Sequence, residues 1–248
     1  MKRLIWLFLF LLSTSWAQYI ATVPATGISG GGGVAATYVT SGNASTGSHD
    51  CTVTLSVTAG QFAVATVENN SNPGTNVLTI SDTNSDSFTQ APSSPYVDGT
   101  VSGTAAWVAK LSTTNASEAF DMHLTDNTNF ASCGVAIYSG PTTLAWDQGF
   151  AGANNTAVTS LVSGTTGTTT QAKELVVGIF GGTCAGGNTG NFTAGSGYTL
   201  RINGAASSTN ACLDYEDQNV TSPGTYSATM TAAASQSGAL ITATLKGN

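Results

Sequence analysis

From Cys51 onward, apolar residues fall at every second position in short runs, separated by Gly, Pro, Asn, Asp and Ser. A period of two puts alternate side chains on opposite faces of an extended chain, so each run predicts a half-buried β-strand. Thr52 to Val57 is the cleanest case, with Val53, Leu55 and Val57 on one face and hydroxyl residues on the other. Trp107, Ala109 and Leu111 share a face, as do Phe120, Met122 and Leu124. Phe62 to Val67 and Leu175 to Phe180 are apolar on both faces, which predicts central strands covered on both sides. No window carries a helical stripe, and Gly and β-branched residues are too frequent for one. The pattern predicts an all-β protein.

The strands also recur. The first series runs Phe62 to Val67, Asp86-Ser-Phe88-Thr89, Ala106-Trp-Val108, Phe120-x-Met122-x-Leu124 and Ala131-x-Cys133-x-Val135-x-Ile137 up to Gly140. The second runs Leu175 to Phe180, Gly197-Tyr-Thr199, Cys212-Leu-Asp214, Tyr226-x-Ala228-x-Met230 and Ala239-x-Ile241-x-Ala243-x-Leu245 up to Gly247. Order and spacing agree, with differences confined to turns. Two approximate halves, about 51–140 and 168–247, are expected to interlock in one two-sheet, jelly-roll-like β-sandwich over 49–248. Residues 18–48 read as a leader with a flexible joint at Gly30 to Gly33.

The first residues change the setting. Lys2 and Arg3 precede an apolar run from Leu4 to Leu12 that is too short to span a bilayer, and Ser15-Trp-Ala17 has the small residues of a cleavage site. Residues 1–17 are therefore expected to be a signal peptide and the protein to be secreted, extracellular or at a cell surface. Beyond it, four basic residues (Lys110, Lys173, Arg201, Lys246) stand against thirteen acids, a net charge of −9. Such a chain repels phosphate backbones, so neither nucleic acid nor membrane insertion is expected.

An oxidising compartment permits disulfides among the four cysteines. Cys51 and Cys133 continue inward-facing apolar sets, whereas Cys212 falls opposite Leu213 and Tyr215 and Cys184 ends a strand. Among three possible pairings, Cys51–Cys133 with Cys184–Cys212 is favoured.

At these strands the chain resembles a family of exported bacterial β-sandwich domains of unassigned function. The resemblance covers residues 50–247 and rests on the Phe62 to Val67 strand, the Ile80 to Asp86 turn and the Val135 to Gly140 strand. It also rests on Gly195-Ser-Gly-Tyr-Thr-Leu-Arg201, Glu216-Asp217 and Gly224 to Thr229. The turn departs from its relatives in lacking a Gly between Asp82 and Asp86. The resemblance implies a jelly-roll-like sandwich and no particular activity.

Several residues carry candidate chemistry. Asp82, Asn84 and Asp86 have the oxygen spacing that opens a Ca2+ loop, but Ser87 and Ser93 stand where such a loop needs Gly and Glu. An ordinary Asx turn is the favoured reading and a weak Ca2+ site the other. Asp214 and Glu216 share one strand face while Asp217 takes the other, an arrangement that paired glycosidase carboxylates also use. Arg201, one of the few cations, is the expected structural partner of Asp217 or Glu216. Trp146 is the candidate sugar-stacking platform, with edge packing as its plainer reading. His49 and His123 are the only histidines, and no G-x-S-x-G elbow accompanies them.

The expectation is a non-catalytic module for extracellular binding, adhesion or cell-surface structure. Its partners would be a polysaccharide or cell-surface glycan, or further copies of itself, since few Lys residues blunt its sheet edges. A carbohydrate-active enzyme using the strand carboxylates is the alternative.

Overall fold

The computed structural model describes residues 32–47, 50–69, 78–98, 103–124, 131–184, 191–206 and 211–248. The expected signal peptide and the start of the leader lie outside these. Among the described residues the chain forms strands and no helix. The first series comprises β1 (Thr37–Thr46), β2 (Asp50–Val57), β3 (Phe62–Asn69), β4 (Leu78–Asp82), β5 (Thr89–Gln90), β6 (Tyr96–Val97), β7 (Gly103–Lys110), β8 (Asn115–Leu124) and β9 (Ala131–Ser139). The second comprises β10 (Leu144–Val162), β11 (Glu174–Cys184), β12 (Phe192–Thr193), β13 (Thr199–Ala206), β14 (Ala211–Val220) and β15 (Thr229–Gly247).

All pairings are antiparallel, and the protein is a β-sandwich. The first sheet has the order β1-β9-β3-β7-β5, with β6 also on β7; the second has the order β10-β15-β11-β14-β13, with β12 on β15. A third sheet, β2-β8-β4, lies outside the first. The two strands that are apolar on both faces, β3 and β11, occupy matching central places, as a strand needing cover on both sides must. The repeat is thus real in three dimensions: β9, β3 and β7 correspond to β15, β11 and β14. The halves do not interlock, however. Among the described residues each large sheet is built from its own half of the chain, spanning 37–139 and 144–247, and no strand crosses to the other.

The large sheets meet face to face. Phe62, Val64, Val108 and Tyr138 of the first pack on Val177, Ile179, Leu213 and Ile241 of the second. The other face of the first sheet, with Ala65, Val67, Trp107 and Ile137, is sealed by Val53, Phe120 and Met122 of the third. A disulfide, Cys51–Cys133, pins that cover to the sheet (Cα–Cα 6.0 Å). Cys212 is also disulfide-bonded, while the side chain of its expected partner Cys184 lies outside the described residues.

One boundary needs correction. Residues 37–46, expected within the leader, form β1 and pair with β9 from Thr37↔Ser139 to Thr46↔Ala131. The strand hides from a hydrophobicity pattern because it fits by being small. A β-carbon on Gly42 would sit 2.9 Å from Leu55 Cδ2 and 3.2 Å from Val53 Cγ1, so glycine lets β2 lie directly on β1.

The second sheet covers its outer face differently. β10 and β15 are each 19 residues long, and four register shifts between them let them bend over the sheet. Leu161 and Met230 from their bent ends, with Phe192 of β12, bury Phe180 and Leu240. Beside them runs the strap Ser163-Gly-Thr-Thr166-Gly-Thr-Thr169. The N–H groups of Ser163, Thr166 and Thr169 donate to the carbonyls of Ala228, Tyr226 and Gly224 (3.0, 2.9 and 2.9 Å). In return, the N–H groups of those three residues donate to the hydroxyls of Ser163, Thr166 and Thr169 (2.8, 3.0 and 3.0 Å). Three strap residues thus match two on the partner, and each buried hydroxyl takes the place of a ladder carbonyl.

Candidate functional site

Strand β5 is short and lies at the outer edge of the first sheet, and side chains around it alternate between two clefts. Ser87 and Thr89 line a cleft of about 230 Å³ with Phe62, Val108, Lys110 and Leu144. Phe88 and Gln90 line the other, of about 300 Å³, with Thr79, Ile80 and Trp107. Pockets for drug-sized ligands run roughly 300–1,000 Å³. Each cleft therefore suits one ring-sized group, and a longer ligand crossing β5 would use both.

The first cleft has an apolar floor with a hydroxyl and cationic rim. Lys110 Nζ donates to the Thr142 carbonyl at 2.9 Å and stands 5.8 Å from the centre of the Phe62 ring. In the second, Phe88 is held edge-on to Phe120, with ring centroids 6.4 Å apart. The exposed Gln90 side chain presents its amide oxygen at the rim, while its Nε2 donates to Ser94 O and Oγ at 3.3 Å each. Hydroxyl, amide and ammonium groups over aliphatic and aromatic floors match the alternating polar and C–H surface of a sugar ring.

Trp146 adjoins this site without forming its floor. Its Nε1–H donates to the Thr89 carbonyl at 3.0 Å and its ring meets Phe150 edge-on at 6.5 Å. The half-buried indole braces β5 from the neighbouring sheet, the edge-packing role.

The carboxylates of β14 are structural in their contacts. Asp214 and Glu216 share the outer face of the second sheet, as their spacing predicts, but both are fully buried. Asp214 Oδ1 accepts the Gly204 N–H, and Glu216 Oε2 accepts the Gly195 N–H at 2.8 Å. Glu216 fits because its register partner is Gly178: a β-carbon there would lie 2.8 Å from both Cγ and Oε1 of Glu216. Burial pushes Asp214 up to about 8 against the Gly204 hydrogen bond. Burial likewise lifts Glu216 to about 7 against the Gly195 bond. Asp217, on the inner face, shares the single Arg201 Nε–H between its two oxygens (3.0 Å each) and accepts a hydrogen bond from Tyr138 (2.6 Å), the ion pair expected of it. Tyr138 belongs to the first sheet, so this cluster ties the sheets together.

The Asp82 turn closes on its own chain. Asp82 Oδ1 accepts the Asp86 N–H at 2.8 Å, Asp86 accepts the Ser112 N–H at 3.1 Å, and the Asn84 amide donates to buried Glu118. No group of three or more His, Cys, Asp or Glu residues among the described residues is arranged to hold a metal ion. His123 pairs with Asp50 on the surface, where both side chains are about half exposed, and His49 lies outside the described residues.

Comparison with protein families, curated proteins and solved structures finds no match for this chain.

The structure thus brings Trp146 to the edge of the clefts and separates it from Asp214, Glu216 and the Asp82 turn. Lys110 escapes a sequence reading because it ends β7 with no pattern to mark it, and Phe88 and Gln90 because the two-residue strand β5 is too short to show alternation. The recurrence of Asp86-Ser-Phe-Thr89 within the repeat is the one signal that points to it.

Proposed function

We propose that this protein is an exported, non-catalytic β-sandwich module that binds a polysaccharide or cell-surface glycan across strand β5. The reading rests on the alternation of residues 87–90 into two clefts on opposite faces of the first sheet, each of a size for one sugar ring, the first lined by hydroxyl and ammonium groups and the second by a hydroxyl and an amide. The kinship it draws on is the resemblance to exported bacterial sandwich domains, and the location it requires is extracellular. The carboxylates that a glycosidase would need offer no support to the enzymatic alternative. Asp214 and Glu216 are buried under backbone they hydrogen-bond, and Asp217 is engaged by Arg201.

The test is binding of residues 18–248 to a broad polysaccharide panel, with calcium and with chelator. Saturable binding to one glycan class, weakened about tenfold or more by Gln90→Ala and by Lys110→Ala with unfolding temperature unchanged, is expected. Failure to bind any glycan would overturn the reading in favour of a self-associating structural role. Loss of binding in chelator alone would move the site to the Asp82 turn.

A further inference from the structure

Lys246 lies on the outer face of the second sheet between two neighbours, in register with Ala145 of β10 and Glu174 of β11. The β10–β15 register slips between Trp146 and Gln148, and the residue at the slip, Asp147, brings its carboxylate to the lysine. Lys246 Nζ is 3.0 Å from Asp147 Oδ1, and the aspartate side chain is 1% exposed. Its two oxygens are held differently. Oδ2 accepts the Thr170 N–H at 2.8 Å and the Gln148 side-chain N–H at 3.1 Å. Oδ1 faces the lysine and the Thr170 hydroxyl. A second buried acid, Glu174, adjoins Asp147; its Oε1 accepts the Gln171 N–H at 2.9 Å.

We propose that Lys246 and Asp147 condense to an amide, so that a covalent side-chain cross-link joins β10 to the last strand, with Glu174 carrying the proton. The Nζ–Cγ bond forms and the Cγ–Oδ1 bond breaks. Of the three hydrogens on the ammonium, one stays on the amide nitrogen and two leave with Oδ1 as water. Nothing is oxidised or reduced, and no co-reactant is needed.

Each contact has a place in this step. Amine and carboxyl are already at reacting distance on a rigid sheet, which makes their encounter intramolecular. Oδ2 becomes the amide oxygen, and the Thr170 and Gln148 N–H groups stabilise the negative charge it gathers in the tetrahedral intermediate. The Thr170 hydroxyl sits at the departing oxygen. Glu174, beside the Asp147 carboxyl, gives a proton to the departing Oδ1 and is restored by a proton released through solvent from the part-exposed Lys246 nitrogen. Burial raises the Glu174 carboxyl above its ordinary value, against the Gln171 hydrogen bond. Burial also acts to raise Asp147, but hydrogen bonds from Thr170, Lys246 and Gln148 hold it at about 2. Moving a proton onto it is therefore the uphill part, suited to one maturation event and not to turnover. The inference is independent of the clefts at β5.

The test is a tryptic map of the protein after reduction of its disulfides. Trypsin does not cut after an acylated lysine, so the cross-linked chain yields one branched species joining residues 111–173 to 202–248. Its mass falls short of the two peptides' sum by one water. Lys246→Arg keeps the charge and gives two separate peptides. Glu174→Gln keeps the fold and the ion pair, and slows cross-linking on the order of 100-fold. Separate peptides 111–173 and 202–246 from the unaltered protein after prolonged incubation would overturn the proposal, whatever the variants do. Cross-linking of Glu174→Gln at the unaltered rate would overturn the role of Glu174.

Discussion

The two halves of the molecule share one sheet plan and cover it in opposite ways. In the first half the cover is a separate sheet: β2 and β8 are distinct from β1 and β9, they meet the core through apolar residues, and the Cys51–Cys133 disulfide pins them. In the second half the corresponding strands run on without a break, as β10 and β15, and fold over their own sheet. That face is less apolar and includes Asp147, Glu174, Asp214 and Glu216, with a strap held by hydroxyls. The lesson is that a sheet repeat conserves what the central strands need, which is burial on both faces. The outer cover can then be closed by apolar packing and a disulfide, or by polar groups matched one to one with backbone.

The largest test of this contrast is removal of the first half's pin. The Cys51–Cys133 link spans 82 residues of sequence, and a closed loop of that size stabilises by about 4 kcal/mol in the chain-entropy view. Cys51→Ala with Cys133→Ala is expected to lower the stability in denaturant titrations by that order. The 120–124 region should gain hydrogen exchange before 240–245 does. Equal loosening of both would erase the contrast.

The second half should reveal itself through pH. Asp214 and Glu216 have folded values raised to about 8 and about 7 from ordinary values of 3.8 and 4.5. Between those limits the unfolded chain has released protons that the folded chain retains, so stability falls as pH rises from about 4 to about 8. Glu68, fully buried with both carboxylate oxygens unpartnered, is raised as well and acts in the same direction. Asp147, in any chain not yet cross-linked, is held at about 2, has the opposite sign and costs stability only as pH falls below its ordinary value of 3.8. Unfolding measured from pH 3 to 9 should show a maximum near pH 4 and a loss on the order of a few kcal/mol by pH 8. Asp214→Asn can still accept the Gly204 N–H and should flatten part of that slope. An unchanged slope in this variant would show that Asp214 does not titrate as its burial requires.

A smaller effect isolates the strap. Thr166→Val keeps the shape but leaves the Tyr226 N–H without its acceptor, at about 1–3 kcal/mol. Thr165→Val, at an exposed position, should be close to neutral. Urea midpoints for the two variants give the comparison, and equal midpoints would mean that the hydroxyl ladder contributes little.

Period-two alternation, with the doubly apolar runs at Phe62 and Leu175, was sufficient by itself to specify an all-β sandwich, its central strands, its repeat and the inward aim of Cys51 and Cys133. Those features depend on which face of a strand a side chain takes, and that is local. Strand β1 was illegible because Gly42 and its small neighbours are selected by the strand lying on them and not by hydrophobicity. The hydroxyl strap has a period of three, meaningful only beside a partner with a period of two. Whether Asp214 and Glu216 face solvent or backbone, and whether Trp146 lines or braces a cleft, turned on which segments fold over them. The clefts at β5 and the meeting of Lys246, Asp147 and Glu174 arise from three strands brought side by side and from a bulge in one of them. Such juxtapositions join residues from different strands, up to 99 positions apart for Lys246 and Asp147, so only the tertiary structure could decide them.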